Sequence, residues 1–97
     1  MYILLLGIMN RIHAYVSGVV QGVFFRYSTK RKALELNVVG FAKNLDDGRV
    51  EVIAEGQENK LKELIAYLHT GPTYAHVTNV EVVWEEPTHE FESFSTR

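Results

Sequence analysis

The segment 18–26, GVVQGVFFR, combines two glycines, apolar residues and one arginine where a helix is predicted to begin. Helical periodicity starts near Phe25, yet none of residues 22–25 is a Ser, Thr, Asp or Asn, the usual capping types. The first N–H groups of this helix can therefore converge on an anion. Arg26 follows, and its planar guanidinium can bind a phosphate or carboxylate with two hydrogen bonds. The spacing is explained equally well if the two glycines only allow a tight loop and Arg26 is exposed to solvent.

Asn44 is the second candidate, because it ends a predicted strand and precedes the turn sequence Leu-Asp-Asp-Gly. Asn is an ordinary turn residue that bonds to its local backbone, and spacing alone favours that role. A functional role requires Asn44 to lie near Arg26. The spacing does not establish that proximity.

Metal and thiol chemistry find little support in the sequence. The chain has no Cys, which excludes disulfides, thiolate metal sites and redox motifs. The four histidines, at 13, 69, 76 and 89, show no ligand spacing. Asp46 and Asp47 lie at a predicted hairpin tip, where turn chemistry explains them. Segment 18–26 also lacks the Lys-Ser/Thr pair of a nucleotide-binding P-loop. We predict no metal site.

Charge and length exclude other classes. Ten basic and twelve acidic residues give a net charge of −2, which disfavours binding to a nucleic-acid backbone. The sequence contains no apolar run of the ~20 residues that a membrane helix needs. With 97 residues, of which 46% are hydrophobic, the chain can form one globular domain.

The hydrophobic periodicity predicts four strands, two helices and their order. Period-two alternation indicates strands and recurrence at three and four residues indicates helices. The strands are predicted at 11–17, 38–44, 49–55 and 77–84, and the helices at 26–37 and 57–70. Phe91 and Phe94 could add a short last strand. The order βαββαβ predicts an α+β, ferredoxin-like split βαβ sandwich, with an antiparallel sheet and both helices on one face.

The apolar segment 1–9, MYILLLGIM, is interpreted separately. It lacks the basic region and the small-residue cleavage site of a signal peptide. We expect an N-terminal extension or an upstream start, with Met9 as the functional start. An additional strand or a packed arm is the alternative. Residues 10–97 are then the single domain.

Two segments of the chain resemble the two signatures of the acylphosphatase family. VSGVVQGVFFR, residues 16–26, is similar to the first signature, and GFAKNLDDGRV, residues 40–50, which runs on to Gly56, is similar to the second. The resemblance extends from about Arg11 to Phe94. Two long motifs in the right order make it specific.

The resemblance implies a function and a set of site residues. Members of the family hydrolyse acyl phosphates to a carboxylate and inorganic phosphate, without a metal or an organic cofactor. By resemblance, Arg26 and Asn44 are the catalytic residues, with Asn44 orienting the attacking water. The phosphate cradle comprises Val20, Gln21, Gly22, Val23, Phe24, Phe25 and Arg26. We accordingly expect a cytoplasmic monomer that binds a small acyl phosphate, and neither nucleic acid nor a membrane.

Two other classes of function remain as alternatives. One is a module that binds a phosphorylated ligand without turning it over. The other is an RNA-binding ferredoxin-like module, since such domains stack bases on aromatic residues of the central strands. The predicted strand 49–55 has no aromatic residue, and Tyr15 alone makes no stacking platform.

Overall fold

A computed structural model describes residues 8–97, and segment 1–7, which includes most of the proposed extension, lies outside the described residues. Five strands form one sheet in the order β4-β1-β3-β2-β5. The strands are β1 (Asn10–Val19), β2 (Val39–Asn44), β3 (Val50–Gly56), β4 (His76–Glu85) and β5 (Phe94–Thr96). The helices are α1 (Phe25–Glu35) and α2 (Glu58–Thr70). The predicted order βαββαβ is confirmed, with β5 added.

Both helices pack on one face of the sheet. Helical spacing predicts that Phe25, Thr29, Ala33 and Leu36 in or next to α1 and Leu61, Leu64, Ile65 and Leu68 on α2 face the core. All of these residues are buried except Ile65, which is partly buried and packs against the core. They meet the inward side chains of the central strands in one hydrophobic core. Those strand residues are Ile12, Ala14 and Val16 on β1 and Val50, Val52 and Ala54 on β3. The alternation along both strands therefore predicted the core face of the sheet.

Strand β1 continues two residues into the segment that the glycines had marked as a loop. It ends at Val19 rather than Ser17, and its pairing with β4 shifts in register between Ser17 and Gly18. Gly18 has φ of +124°, and a Cβ there would lie 2.0 Å from the carbonyl oxygen of His76. A glycine is needed at this irregularity because no side chain fits between the two strands.

The position of β2 differs from the expectation for four strands, in which the second strand forms an edge. β5 pairs with the outer side of β2, with Gly40 opposite Phe94 and Ala42 opposite Thr96. This pairing is parallel, whereas the other three pairings are antiparallel as predicted. The direction follows from the connection 86–93, which carries the chain from β4 at one edge of the sheet to β2 at the other.

Glu55 anchors that connection from the middle of the sheet. Its side chain is fully buried and accepts hydrogen bonds from the backbone N–H groups of Thr88 (2.8 Å) and His89 (3.0 Å). Arg11 Nη1 lies 2.9 Å from Glu55 Oε2. Burial alone would raise the pKa of Glu55, but the hydrogen bonds from Thr88, Arg11 and His89 hold that pKa below its ordinary value. The carboxylate stays ionised and fixes the chain just before β5.

Candidate active site

A pocket of about 390 Å³ opens where the β1–α1 loop, the start of α1 and the ends of β2 and β5 meet. It is lined by Val20, Gly22, Phe24, Phe25, Arg26, Tyr27, Lys30, Asn44 and Thr96. The lining includes two cations, Arg26 and Lys30, and no carboxylate. In a chain with a net charge of −2, this is a local positive site that suits an anion.

The helix start at this pocket has the features expected of an anion site. Phe24 is the N-cap residue of α1, in a left-handed conformation (φ 67°, ψ 22°), and its side chain makes no capping hydrogen bond. Gly22 also has a positive φ of 75°, with no atom within 4 Å of the place where a Cβ would stand. Left-handed residues in such a turn curve the backbone so that successive N–H groups face one concavity. The first turn of α1 contains no acidic residue that would compete for these groups.

Arg26 lies in the first turn of α1, and its guanidinium is held from outside the helix. Nη1 donates a hydrogen bond to the carbonyl oxygen of Arg97, 2.7 Å away. The carbonyl is positioned in turn by the sheet, since the backbone N–H of Arg97 donates to the carbonyl of Ala42 (2.8 Å). Among residues 8–97, Arg26 forms no ion pair with an Asp or Glu side chain. Its remaining donors are therefore available to a ligand in the pocket.

Asn44 lines the same pocket as Arg26, so the proximity that spacing could not establish is present in the fold. Asn44 Oδ1 is buried and has no hydrogen-bond partner within the described range 8–97. An unpaired buried acceptor costs about 1–3 kcal/mol and calls for an explanation.

The hairpin turn does not use the Asn44 side chain. Its backbone bonds join Leu45 to Arg49 (2.9 Å) and Gly48 to Leu45 (3.2 Å). Asp47 supplies the side-chain contact, because its Oδ1 accepts the backbone N–H of Arg49 at 3.1 Å. This bond, with the Arg49 guanidinium, lowers the pKa of Asp47 below its ordinary value. Turn chemistry therefore explains Asp47, as predicted, and leaves Asn44 without a role in the turn.

Gln21 belongs to the predicted cradle, but its side chain does not line the pocket. It points instead to the β2–β3 hairpin. Nε2 donates to two carbonyl oxygens, of Leu45 at 2.8 Å and of Arg49 at 2.9 Å. The first of these residues directly follows Asn44. The amide of Gln21 thus links the loop before Arg26 to the strand end that carries Asn44.

Three pocket residues were not among the candidates found by sequence reasoning. Lys30 was expected to point outward, yet it is half-buried and lines the pocket one helical turn after Arg26. The spacing of four residues was the signal that could have placed it beside Arg26. Tyr27 is exposed at the rim. Thr96 carried no such signal, since its place depends on the pairing of β5 with β2.

Other candidate chemistry is not assembled in the fold. Within residues 8–97, no group of three or more His, Asp or Glu side chains could hold a metal ion. His13 lies on the outer face of the sheet, where Nε2 is 2.6 Å from Glu51 and Nδ1 is 3.2 Å from Glu85. Neither helix of this part of the chain has the length and apolar character that crossing a membrane requires.

Comparison with known proteins identifies the family. The acylphosphatase family model matches residues 12–96. The acylphosphatase of Roseiflexus sp. is 44% identical over 87 residues, covering 90% of this chain and 94% of the relative. That of Marinobacter nauticus is 48% identical over 88 residues, covering 91% and 96%.

Solved structures show the same relationship. The Coxiella burnetii acylphosphatase superposes with a TM-score of 0.87 at 40% identity, covering 92% of this chain and 93% of that one. For the Bacillus subtilis acylphosphatase the TM-score is 0.88 at 34% identity, with 93% and 99% covered. The matches span nearly all of both chains and agree with the resemblance of the two signatures. The chain belongs to the acylphosphatase family, whose members are enzymes that hydrolyse acyl phosphates.

Proposed function

We propose that the pocket at the start of α1 is the active site for acyl phosphate hydrolysis, with Arg26 and the loop amides of residues 20–26 holding the phosphoryl group. Asn44 orients the attacking water. The observation that carries the proposal is the convergence of Arg26, an uncapped helix start and the unpaired amide oxygen of Asn44 on one pocket without a carboxylate. These are the groups that an anionic substrate and a neutral nucleophile need.

The reaction places modest demands on the protein. Water oxygen forms a bond to phosphorus, the bond from phosphorus to the acyl oxygen breaks, and the carboxylate leaves with the electron pair. A carboxylate is a good leaving group, so no general acid is required. Phosphoryl transfer then depends on positioning and on stabilising charge at the three outer phosphoryl oxygens. Preorganised amides and the Arg26 guanidinium supply that charge stabilisation.

Asn44 contributes orientation rather than basicity, because a neutral amide is a poor base. Its buried Oδ1 would accept a hydrogen bond from the water. This bond orients the water so that a lone pair of its oxygen points at phosphorus. The hydrogen bond from this water also removes the free-energy cost of leaving Asn44 Oδ1 buried without a partner. The proton lost in the reaction passes to phosphate or solvent.

The direct test is hydrolysis of benzoyl phosphate after exhaustive chelation. We expect full activity without added metal, and competitive inhibition by inorganic phosphate, since substrate and product share the group that the cradle binds. If the chelated enzyme recovers activity only when Mg²⁺ is added, the proposal that Arg26, the loop amides and Asn44 act without a metal is wrong. Binding of phosphate without turnover would favour the ligand-binding module instead.

The RNA-binding alternative gains nothing from the outer face of the sheet. That face carries the carboxylates of Glu51 and Glu85 beside His13, and the buried Glu55 is covered by the connection 86–93. Tyr15, the one aromatic of β1 and β3, is covered by the Arg49 guanidinium, 4.6 Å from the ring centre. A monomeric state, a cytoplasmic location and a domain limited to residues 10–97 stay part of the proposal.

Gln21 is a positioning residue in this scheme, and its replacement tests the link between the cradle and Asn44. Gln21→Met keeps the length of the side chain but removes the donor to the carbonyls of Leu45 and Arg49. We expect kcat to fall about tenfold while KM changes little, because the water rather than the phosphoryl group is misplaced. Steady-state kinetics on benzoyl phosphate give both constants. A normal kcat in Gln21→Met would show that the link does not position Asn44.

A further inference from the structure

Lys30 is the cation of the pocket that the proposed mechanism does not use. It is half-buried, it lines the pocket, and within residues 8–97 it makes no ion pair or hydrogen bond to another side chain. It follows Arg26 by four positions on α1, so the two cations occupy the same helix face one turn apart. Like charges in this arrangement repel each other, and the lining offers no carboxylate to offset the repulsion.

The geometry separates the positions of the two cations along the helix. Arg26 lies beside the uncapped helix start, whereas Lys30 lies about 6 Å farther along the axis of α1. A phosphoryl group held by the loop amides is therefore met first by Arg26. An acyl group that extends from the phosphoryl group along α1 would come toward Lys30.

Two residues that line the pocket are exposed aromatics. Phe24 is 74% exposed and Tyr27 is 58% exposed, and both line the pocket. Exposed aromatic rings flanking a lysine can cover a short carbon chain while the ammonium binds a charge at its end. A purely apolar acyl group would leave the Lys30 charge unpaired.

We propose that Lys30 forms a subsite for a second anionic group, so that the preferred substrates are acyl phosphates whose acyl chain ends in a carboxylate or a phosphate. The inference rests on the proposed function. Arg26 and the amides hold the reacting phosphoryl group, Lys30 binds the distal anion, and Tyr27, which lies between Arg26 and Lys30 on α1, contacts the carbons of the acyl chain.

A matched pair of substrates tests the subsite. Butyryl phosphate and succinyl phosphate have acyl chains of the same length, ending in a methyl group and in a carboxylate. We expect the wild-type enzyme to have a higher kcat/KM for succinyl phosphate than for butyryl phosphate. Lys30→Met should lower kcat/KM for succinyl phosphate about tenfold and change kcat/KM for butyryl phosphate less than twofold. Lys30→Arg should retain the preference. The ratio within one variant does not depend on how much of the protein is folded.

Lys32→Met is the control, because it removes the same charge from the same helix at a residue that does not line this pocket. Its ratio of kcat/KM values should equal that of the wild type. A third substrate, 3-phosphooxypropanoyl phosphate, distinguishes the two anions: a stronger effect of Lys30→Met on this substrate assigns the subsite to phosphate, and a stronger effect on succinyl phosphate assigns it to carboxylate.

Three results would overturn the inference. If Lys30→Met lowers kcat/KM equally for butyryl and succinyl phosphate, Lys30 interacts with the phosphoryl group that both substrates share and not with a distal anion. The same change of ratio in Lys32→Met would make the effect one of net charge. Failure of the wild-type enzyme to hydrolyse either butyryl or succinyl phosphate would instead refute the proposed function, and the subsite with it.

Discussion

Replacement of Arg26 by alanine is expected to abolish turnover, by at least about a thousandfold, and to remove inhibition by inorganic phosphate. In the proposed mechanism the guanidinium stabilises charge on the phosphoryl oxygens in the bound and the transition state, so both binding and rate should depend on it. Arg26→Lys should restore little, because an ammonium lacks the planar fork and cannot both bind phosphate and reach the carbonyl of Arg97 that holds Arg26 at 2.7 Å.

The measurements are kcat and KM for benzoyl phosphate and the inhibition constant of phosphate. Lys32→Ala serves as the control, since it removes a cation from the same helix at a position that does not line the pocket. We expect it to retain near-normal kinetics. Phosphate inhibition that survives Arg26→Ala would place the anion site elsewhere in the molecule.

Replacement of Asn44 by alanine should separate catalysis from binding. If Asn44 only orients water, kcat falls about a hundredfold or more, while KM and phosphate inhibition change far less. Asn44→Asp should be no better, because it adds a negative charge that faces an anionic substrate. The kinetics of both variants are to be measured on protein whose far-ultraviolet circular dichroism is native.

Asp47→Ala controls for an effect through the hairpin. It removes the side-chain contact that closes the turn but leaves the pocket lining intact. If Asn44 acts by orienting water, Asp47→Ala retains kcat even where it lowers stability. Equal losses of kcat in the two variants, or a normal kcat in folded Asn44→Ala, would return Asn44 to the role of a turn residue.

The elements of the core were predictable because their signals are local. The stripe of Leu61, Leu64 and Leu68 and the alternation of Val50, Val52 and Ala54 each follow from the geometry of one helix or strand. The missing cap before α1 was equally visible, since capping involves only neighbouring residues. These signals predicted the fold class, and they left an anion site and a plain tight connection equally open at residues 18–26.

The rest depends on contacts between distant parts of the chain. A three-residue strand in a polar tail has almost no periodicity, and β5 joins β2 only because Glu55 captures Thr88 and His89 on the way. Helical periodicity predicts which face of α1 contacts the core, and it places Lys30 off that face. It does not reveal a pocket that other segments of the chain form beside the helix. The link from Gln21 to the hairpin is likewise a tertiary contact that no spacing rule reveals.

The parallel pairing of β5 with β2 has a consequence for synthesis on the ribosome. Arg26 and the carbonyl of Arg97 that holds it are 71 positions apart in the sequence. Both signature segments are translated long before β5 emerges. Until then β2 is an open edge that can pair with another nascent chain, and Arg26 lacks its backbone acceptor. If Arg26 acts as proposed, every residue of the two signatures is thus present in a growing chain before this arginine is held in place, and the contact that holds it forms only with the last translated strand of the sheet.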